Sequence, residues 1–419
     1  MVTHPALARK LGTADAVFIG LGSMIGAGVF AAFTPAAQAA GSGLLIGLLV
    51  AAIAAGCNAL ASAQLAAAYP TSGGAYIYGR ERLGPWCGFL AGWSFVIGKT
   101  ASCAAMALTF ASYVAPAGWE RIVAVAAVAA LAAVNYRGIT RTAMLTKVIV
   151  VLVLAALAGG LVASGESTAL IGSELETAAL VSSGPYGLLQ SAGLLFFAFA
   201  GYARIATMGE EVRDPQRTIP RAIILALAIT IVIYTLVAVT LLTTLGPGGL
   251  AATSTPLRDA AAAAGWSWTS PAITIGAALA SLGALLALIA GIGRTALAMA
   301  RNADLPSWLC AVHPRFHVPH RADVLLAVVV SAVVLTVDLR GAIGFSSFGV
   351  LLYYFIANAS ALAQGRNRYP RAIFVLGAAL CAILVITLPL GSIVGGLTVV
   401  AAGIAYRLIR LRASAAPVA

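Results

Sequence analysis

Gly20-Leu21-Gly22-Ser23-Met24-Ile25-Gly26-Ala27-Gly28-Val29-Phe30 is the stretch on which the fold turns. It lies in the middle of the first long apolar segment, Ala14 to Ala40. Four glycines (Gly20, Gly22, Gly26 and Gly28) fall within nine residues. Each weakens a helix by about 1 kcal/mol relative to alanine. A helix interrupted at mid-membrane explains them. An interruption frees backbone N–H and C=O groups, which need partners in hydrocarbon. If the partner is a ligand, the interruption is a binding site. Close helix packing through small residues is the competing account. The glycines alone do not separate the two.

Composition narrows the class. The chain has 419 residues, 61% hydrophobic and 9% charged, whereas soluble domains carry roughly 25% charged residues. It is an all-α polytopic membrane protein. Twelve segments reach the length and apolarity of a transmembrane helix. They are 13–40, 43–68, 86–113, 121–136, 145–164, 185–208, 220–245, 270–300, 322–338, 341–364, 371–389 and 391–409. Lys and Arg total 25 against 13 Asp and Glu. Most of them gather on one side if the N- and C-termini are cytoplasmic, as the positive-inside rule requires. The basic balance therefore reports topology, not nucleic-acid binding. Residues 1–12 are polar and mildly basic, without a cleavage pattern, so no removable signal peptide is expected. The expected location is the cell (plasma or inner) membrane.

Other site chemistries find little support. The five cysteines are scattered and form no C-x-x-C, so no disulfide framework is expected. His313, His317 and His320 sit among prolines and read as a loop, not a zinc site. No metal or cofactor is expected. No Walker A motif, H-E-x-x-H or paired intramembrane carboxylates are visible, so ATP-driven transport and membrane catalysis are set aside.

Five helices form an odd-numbered unit, so a second such unit would be inverted. Its first helix would be Leu194-Leu195-Phe196-Phe197-Ala198-Phe199-Ala200-Gly201-Tyr202-Ala203-Arg204. It too carries small residues at mid-span. Interrupted segments at corresponding places in two halves point to a transporter site.

Four motifs then bring out a resemblance. They are Gly22 to Phe30; Tyr69-Pro70-Thr71-Ser72-Gly73-Gly74-Ala75-Tyr76-Ile77-Tyr78 with Leu83-Gly84-Pro85 and Gly92-Trp93; Phe196 to Tyr202 followed by Glu210 to Arg221; and Arg294 followed by Met299 to Pro306. In this order and spacing the chain resembles the amino acid–polyamine–organocation (APC) superfamily of secondary transporters, over almost its whole length. The resemblance implies a LeuT-like fold with helices 1 and 6 broken. Residues 1–165 would form one five-helix repeat, 166–365 the inverted second, and 366–419 helices 11 and 12 with a short cytoplasmic tail.

The resemblance also implies a site. Backbone N–H groups of Ala27 and Gly28, with Gly26 beside them, would hold a substrate carboxylate at a helix start, where the dipole is positive. Carbonyls at Met24, Phe197 and Ala200 would meet its ammonium, with Ile25 and Tyr202 beside them. Phe197 matches an aromatic gate. Lys99 falls mid-helix, where a charge costs at least about 2.5 kcal/mol. It would contact substrate, shuttle a proton, or bind the carbonyls of a broken helix. Arg204 reads as a cytoplasmic-gate residue, a carbonyl-binding one, or a snorkelling arginine. Some proton-coupled members carry a lysine in helix 5; Val153 stands there instead. Between Ile275 and Arg294, helix 8 offers only Ser281 as a hydroxyl ligand, so sodium coupling is not expected and a proton is.

The expected function is uptake of an L-amino acid by alternating access. Because no Asp or Glu occupies the centre of any segment, a neutral or anionic substrate ranks above a polycation. An amino acid exchanger and a polyamine or organic-amine permease are the alternatives, and a channel or transporter-like sensor ranks last. The sequence says nothing of oligomeric state.

Overall fold

The structure is a computed structural model describing residues 11–69, 73–138, 146–148, 150–151, 153–155, 177–208, 211–365 and 368–415. Several sequence-predicted features lie outside the described residues. These are most of segment 145–164, the acidic connection of Glu166, Glu174 and Glu176, Glu210, residues 1–10 and the last four residues. Among the described residues the chain is helical, with no strand and one isolated bridge, Leu11 to Val212.

Helix α1 (Thr13–Met24) starts where the Gly12 N–H donates to Asp15 Oδ2 at 2.9 Å. It stops at Gly26, whose φ of −62° and ψ of −135° leave helical space. The chain resumes as α2 (Ala27–Ala31) and α3 (Phe33–Ala40). Pro35 has no N–H for the Ala31 carbonyl, which accounts for the second interruption at Ala32. There follow α4 (Leu44–Ala68), the short α5 (Ala75–Leu83), α6 (Pro85–Val114), which opens on a proline as helices favour, and α7 (Glu120–Tyr136).

The second half opens with α8 (Thr177–Val181) and α9 (Gly184–Phe199). A tight turn over Ala200–Tyr202 leads to α10 (Ala203–Ala206). Then come α11 (Pro215–Ala252), kinked at Gly246, α12 (Pro256–Ala263), α13 (Ser270–Arg301), α14 (His320–Thr336), α15 (Leu339–Leu362), α16 (Arg371–Thr387) and α17 (Leu390–Ala415).

Eight helical stretches among the described residues are long and apolar enough to cross a membrane. Segments 121–136, 322–338 and 371–389 form α7, α14 and α16, of 17 residues each. At 1.5 Å per residue they are about 25 Å long, just short of the hydrocarbon core. The protein is a polytopic, helical membrane protein. Its outside is apolar, as lipid contact demands: Leu390, Ile386 and Ile409 are each more than two-thirds exposed.

Packing places the two interrupted helices together. Helix α1 lies on α11 and on the Ala200–Tyr202 turn, and α9 lies on α4 and α3. Helix α6 runs between α13 and α15, while α17 is peripheral. All five cysteines are free. Among the described residues no group of His, Cys, Asp and Glu could hold a metal. His313 instead caps its own loop, its Nδ1 accepting from the Arg315 and Phe316 N–H groups.

Candidate functional site

The two interruptions touch. A Cβ on Gly201 would stand 2.4 Å from Ser23 C and O and 2.6 Å from Met24 N. Only a residue without a side chain lets the α9–α10 turn press on the end of α1. The glycines of the opening stretch do similar work. A Cβ on Gly28 would meet Ala198 Cα and Cβ at 2.7 Å, one on Gly26 Ala284 Cβ at 2.8 Å, and one on Gly20 Ile205 Cδ1 at 2.3 Å. The two accounts of these glycines both hold: the helix is interrupted, and small residues pack it closely.

Between the interruptions lies a cavity of about 80 Å³. Met24, Gly28, Lys99, Phe197, Ala200 and Arg204 line it, together with Ser23, Phe95, Ser102, Met106, Leu288 and Arg294. No carboxylate does, among the described residues. Ile25, Gly26, Ala27 and Tyr202 are buried outside this lining. Tyr202 packs on Tyr354 with ring centroids 5.1 Å apart.

Lys99 is 5% exposed, and its Nζ donates to the Ala200 carbonyl at 3.3 Å. Ala200 ends α9 and opens the tight turn Ala200–Tyr202, where the α-helical hydrogen-bond pattern stops. Lys99 therefore ties α6 to the interruption of the second broken helix. Tyr234 of α11 does the same from the other side. Its hydroxyl lies 2.5 Å from the Met24 carbonyl and 3.1 Å from that of Ala198, and so serves both broken helices. The resemblance gave the Met24 carbonyl to a substrate ammonium; here a phenol reaches it.

A second cavity of about 160 Å³ shares Ser23, Arg204, Ala284, Ala287, Gly291 and Arg294 with the first. It extends to Leu11, Asn135 and Glu211, toward the arginine-rich end of the bundle. Glu211 stands 3.8 Å from both Arg204 and Arg294. Arg204 also donates to Thr207 Oγ1 at 3.4 Å. Glu211 thus pairs with these two arginines, and Arg217 pairs with Asp214. At the opposite end, Tyr113 donates to the Phe30 carbonyl at 3.3 Å, and the Arg258 guanidinium lies over the Tyr113 ring.

The arginine-rich end is also tied by Asp304, one of the residues of the fourth motif. It is 4% exposed and accepts from Tyr76 (2.8 Å), Arg80 (3.1 Å) and Arg407. Burial, and then the Asp304 carboxylate, push the Tyr76 phenol above its ordinary pKa. Arg407 lies over the Trp86 and Phe89 rings. This one carboxylate thereby joins α5, α17 and the turn after α13.

The sequence model described as amino acid permease matches residues 11–409. The chain belongs to the amino acid permease family. Within the APC superfamily it is a multi-pass membrane transporter, with a small-molecule substrate. It is 59% identical to an uncharacterized transporter of Mycobacterium tuberculosis, over 96% of this chain and 92% of that one. A Mycobacterium bovis transporter matches equally. The vacuolar cationic amino acid transporter 4 of Arabidopsis thaliana is 28% identical, over 83% of this chain and 62% of that protein.

Tyr234, Ser102, Phe95 and Arg294 were not among the site residues read from the sequence. Tyr234 left a signal: a phenol within Ile229-Thr230-Ile231-Val232-Ile233-Tyr234 needs a buried partner. Phe95 and Ser102 left none, because neither residue type is unusual in a membrane helix.

Proposed function

We propose that this permease imports an L-amino acid by alternating access, coupled to protons, in a LeuT-like 5+5 inverted repeat with cytoplasmic termini. The observation that carries the reading is the cavity between the two interruptions, continuous in its walls with a vestibule at the arginine-rich end. The substrate head group is held by backbone: N–H groups at the start of α2 for its carboxylate, and carbonyls at the Ala200 turn for its ammonium. Phe197 closes over it. Phe95, Met106 and Leu288 receive its side chain. The 3.8 Å pairs of Glu211 with Arg204 and Arg294 form the inner gate. Such half-exposed pairs are worth about 0–1 kcal/mol, so they can part in each cycle.

The side chain is neutral or anionic. No lining carboxylate would pair with a cationic side chain, among the described residues. This preference departs from the printed name of the Arabidopsis relative, a cationic amino acid transporter. Lys99 links the two halves of the mechanism, because deprotonation would release the Ala200 carbonyl to the substrate ammonium.

The test is uptake of radiolabelled amino acids by the purified protein in liposomes, with an inward proton gradient and, separately, with preloaded unlabelled substrate. Accumulation of a neutral or anionic amino acid under the gradient supports the reading. For Lys99→Ala, loss of accumulation with exchange retained is expected. Uptake that needs only internal substrate and survives Lys99→Ala makes the protein an exchanger with a structural lysine. Uptake of arginine or lysine alone refutes the substrate class.

A further inference from the structure

The vestibule has a second polar wall that the substrate site does not use. Asn135, near the end of α7, lines it. The Asn135 Nδ2 donates to Asp323 Oδ2 at 2.9 Å. Asp323 belongs to the first turn of α14 and is 1% exposed. Its other oxygen, Oδ1, is buried without a hydrogen-bond partner. That oxygen faces the backbone of α13, where a Cβ on Gly293 would come within 2.2 Å of it.

The surroundings do not neutralise a charge there. Asp323 makes no salt bridge among the described residues. From α13, Arg294 bears on it and is itself paired with Glu211. From α7 come the neutral Asn135 amide and the Tyr136 ring, which lies against His320. On α14 itself, His320 keeps a buried Nδ1 without a partner, and Arg321 donates to the Trp308 carbonyl. The helix start of α14 contributes a favourable dipole, about 0.3–1 kcal/mol for an acidic group. An isolated buried carboxylate costs several times that. A proton on Oδ1 removes the charge, and Asn135 joins the same carboxyl to the vestibule.

We infer that Asp323 is a proton-binding group of the transport cycle, taking up a proton as carboxylic acid and releasing it through the Asn135 side to the inner vestibule. The inference rests on the proposed proton-coupled transport and locates a protonation site apart from Lys99. The step balances simply: one O–H bond forms at Asp323 when the proton arrives and breaks when the proton leaves to the inner vestibule.

Two measurements test it. The first needs no substrate. Infrared difference spectra of the purified protein, recorded across a pH titration, should show a carboxylic-acid C=O band that Asp323→Asn removes. Persistence of every such band in Asp323→Asn overturns the inference. The second uses liposomes. Asp323→Asn, which stays neutral and can still pair with Asn135, should keep exchange within about twofold of wild type. Its proton-driven accumulation should fall at least about tenfold. Equal accumulation and unchanged pH dependence overturn the inference. Should Asp323→Asn fail to fold, Asn135→Leu replaces it. That variant should shift the pH at which the infrared band titrates, and an unshifted band overturns the inference. A wild type that transports no amino acid would count against the proposed function, while the infrared band would still decide Asp323.

Discussion

Replacing Gly201 by alanine adds one methyl group at the contact between the two interruptions. Its Cβ would lie 2.4 Å from Ser23 C and O and 2.6 Å from Met24 N. These are backbone atoms, so no side chain can swing aside. Either the turn over Ala200–Tyr202 or the end of α1 must move by about 1 Å to restore ordinary contact. Overpacking of this kind costs about 1–3 kcal/mol. The Met24 carbonyl, held by Tyr234 at 2.5 Å, moves with it. The methyl group therefore perturbs stability and the substrate site together. Thermal stability in detergent, read by fluorescence-detected size exclusion, should fall by about 2–10 °C. Initial uptake in liposomes should fall at least about tenfold. Gly56→Ala is the control: it lies inside α4 with nothing within 4 Å of the added Cβ. Alanine there should be neutral or stabilising by about 0.5–1 kcal/mol, since it favours helix. If Gly201→Ala melts and transports like Gly56→Ala, the two interruptions are not in contact as described.

The Tyr234 hydroxyl serves both broken helices, so Tyr234→Phe leaves buried carbonyls at Met24 and Ala198 without this donor. A cost of about 1–3 kcal/mol is expected, with a lower melting temperature and reduced uptake; an unchanged Tm and rate would show that the phenol is dispensable. Asp304→Ala strips the carboxylate from Arg80, Arg407 and Tyr76. Breaking a buried pair of this sort costs about 3–5 kcal/mol, so loss of folded protein on size exclusion is expected, and wild-type yield and Tm would contradict it. In the double variant Asp304→Asn with Arg407→Met, part of the loss should be recovered, since the buried cation goes with its partner.

The residues themselves determined the solvent of this protein and its class. With 9% of the chain charged and long apolar segments throughout, only a bilayer can host it. The glycines of the opening stretch marked the interruption of the first helix, and the motif order marked the family, which the match over residues 11–409 bears out. Local rules suffice for these conclusions, because helix breaking and hydrophobic length are properties of neighbours in the chain.

What local rules cannot give is which groups meet across the bundle. Gly201 looked like one small residue among several until folding set it against Ser23 and Met24. Tyr234 is 210 positions from the Met24 carbonyl it holds. Lys99 was legible as a buried charge needing a partner, but that the partner is the Ala200 carbonyl follows only from α6 crossing the second interruption. Asp323 sits at a helix start, where an acidic residue is unremarkable in sequence. Its isolation arises from Gly293 and Asn135, brought to it by α13 and α7. Burial and pairing are sums over neighbours distant in the chain, so tertiary structure alone decided which polar groups of this permease are satisfied and which are left free to act.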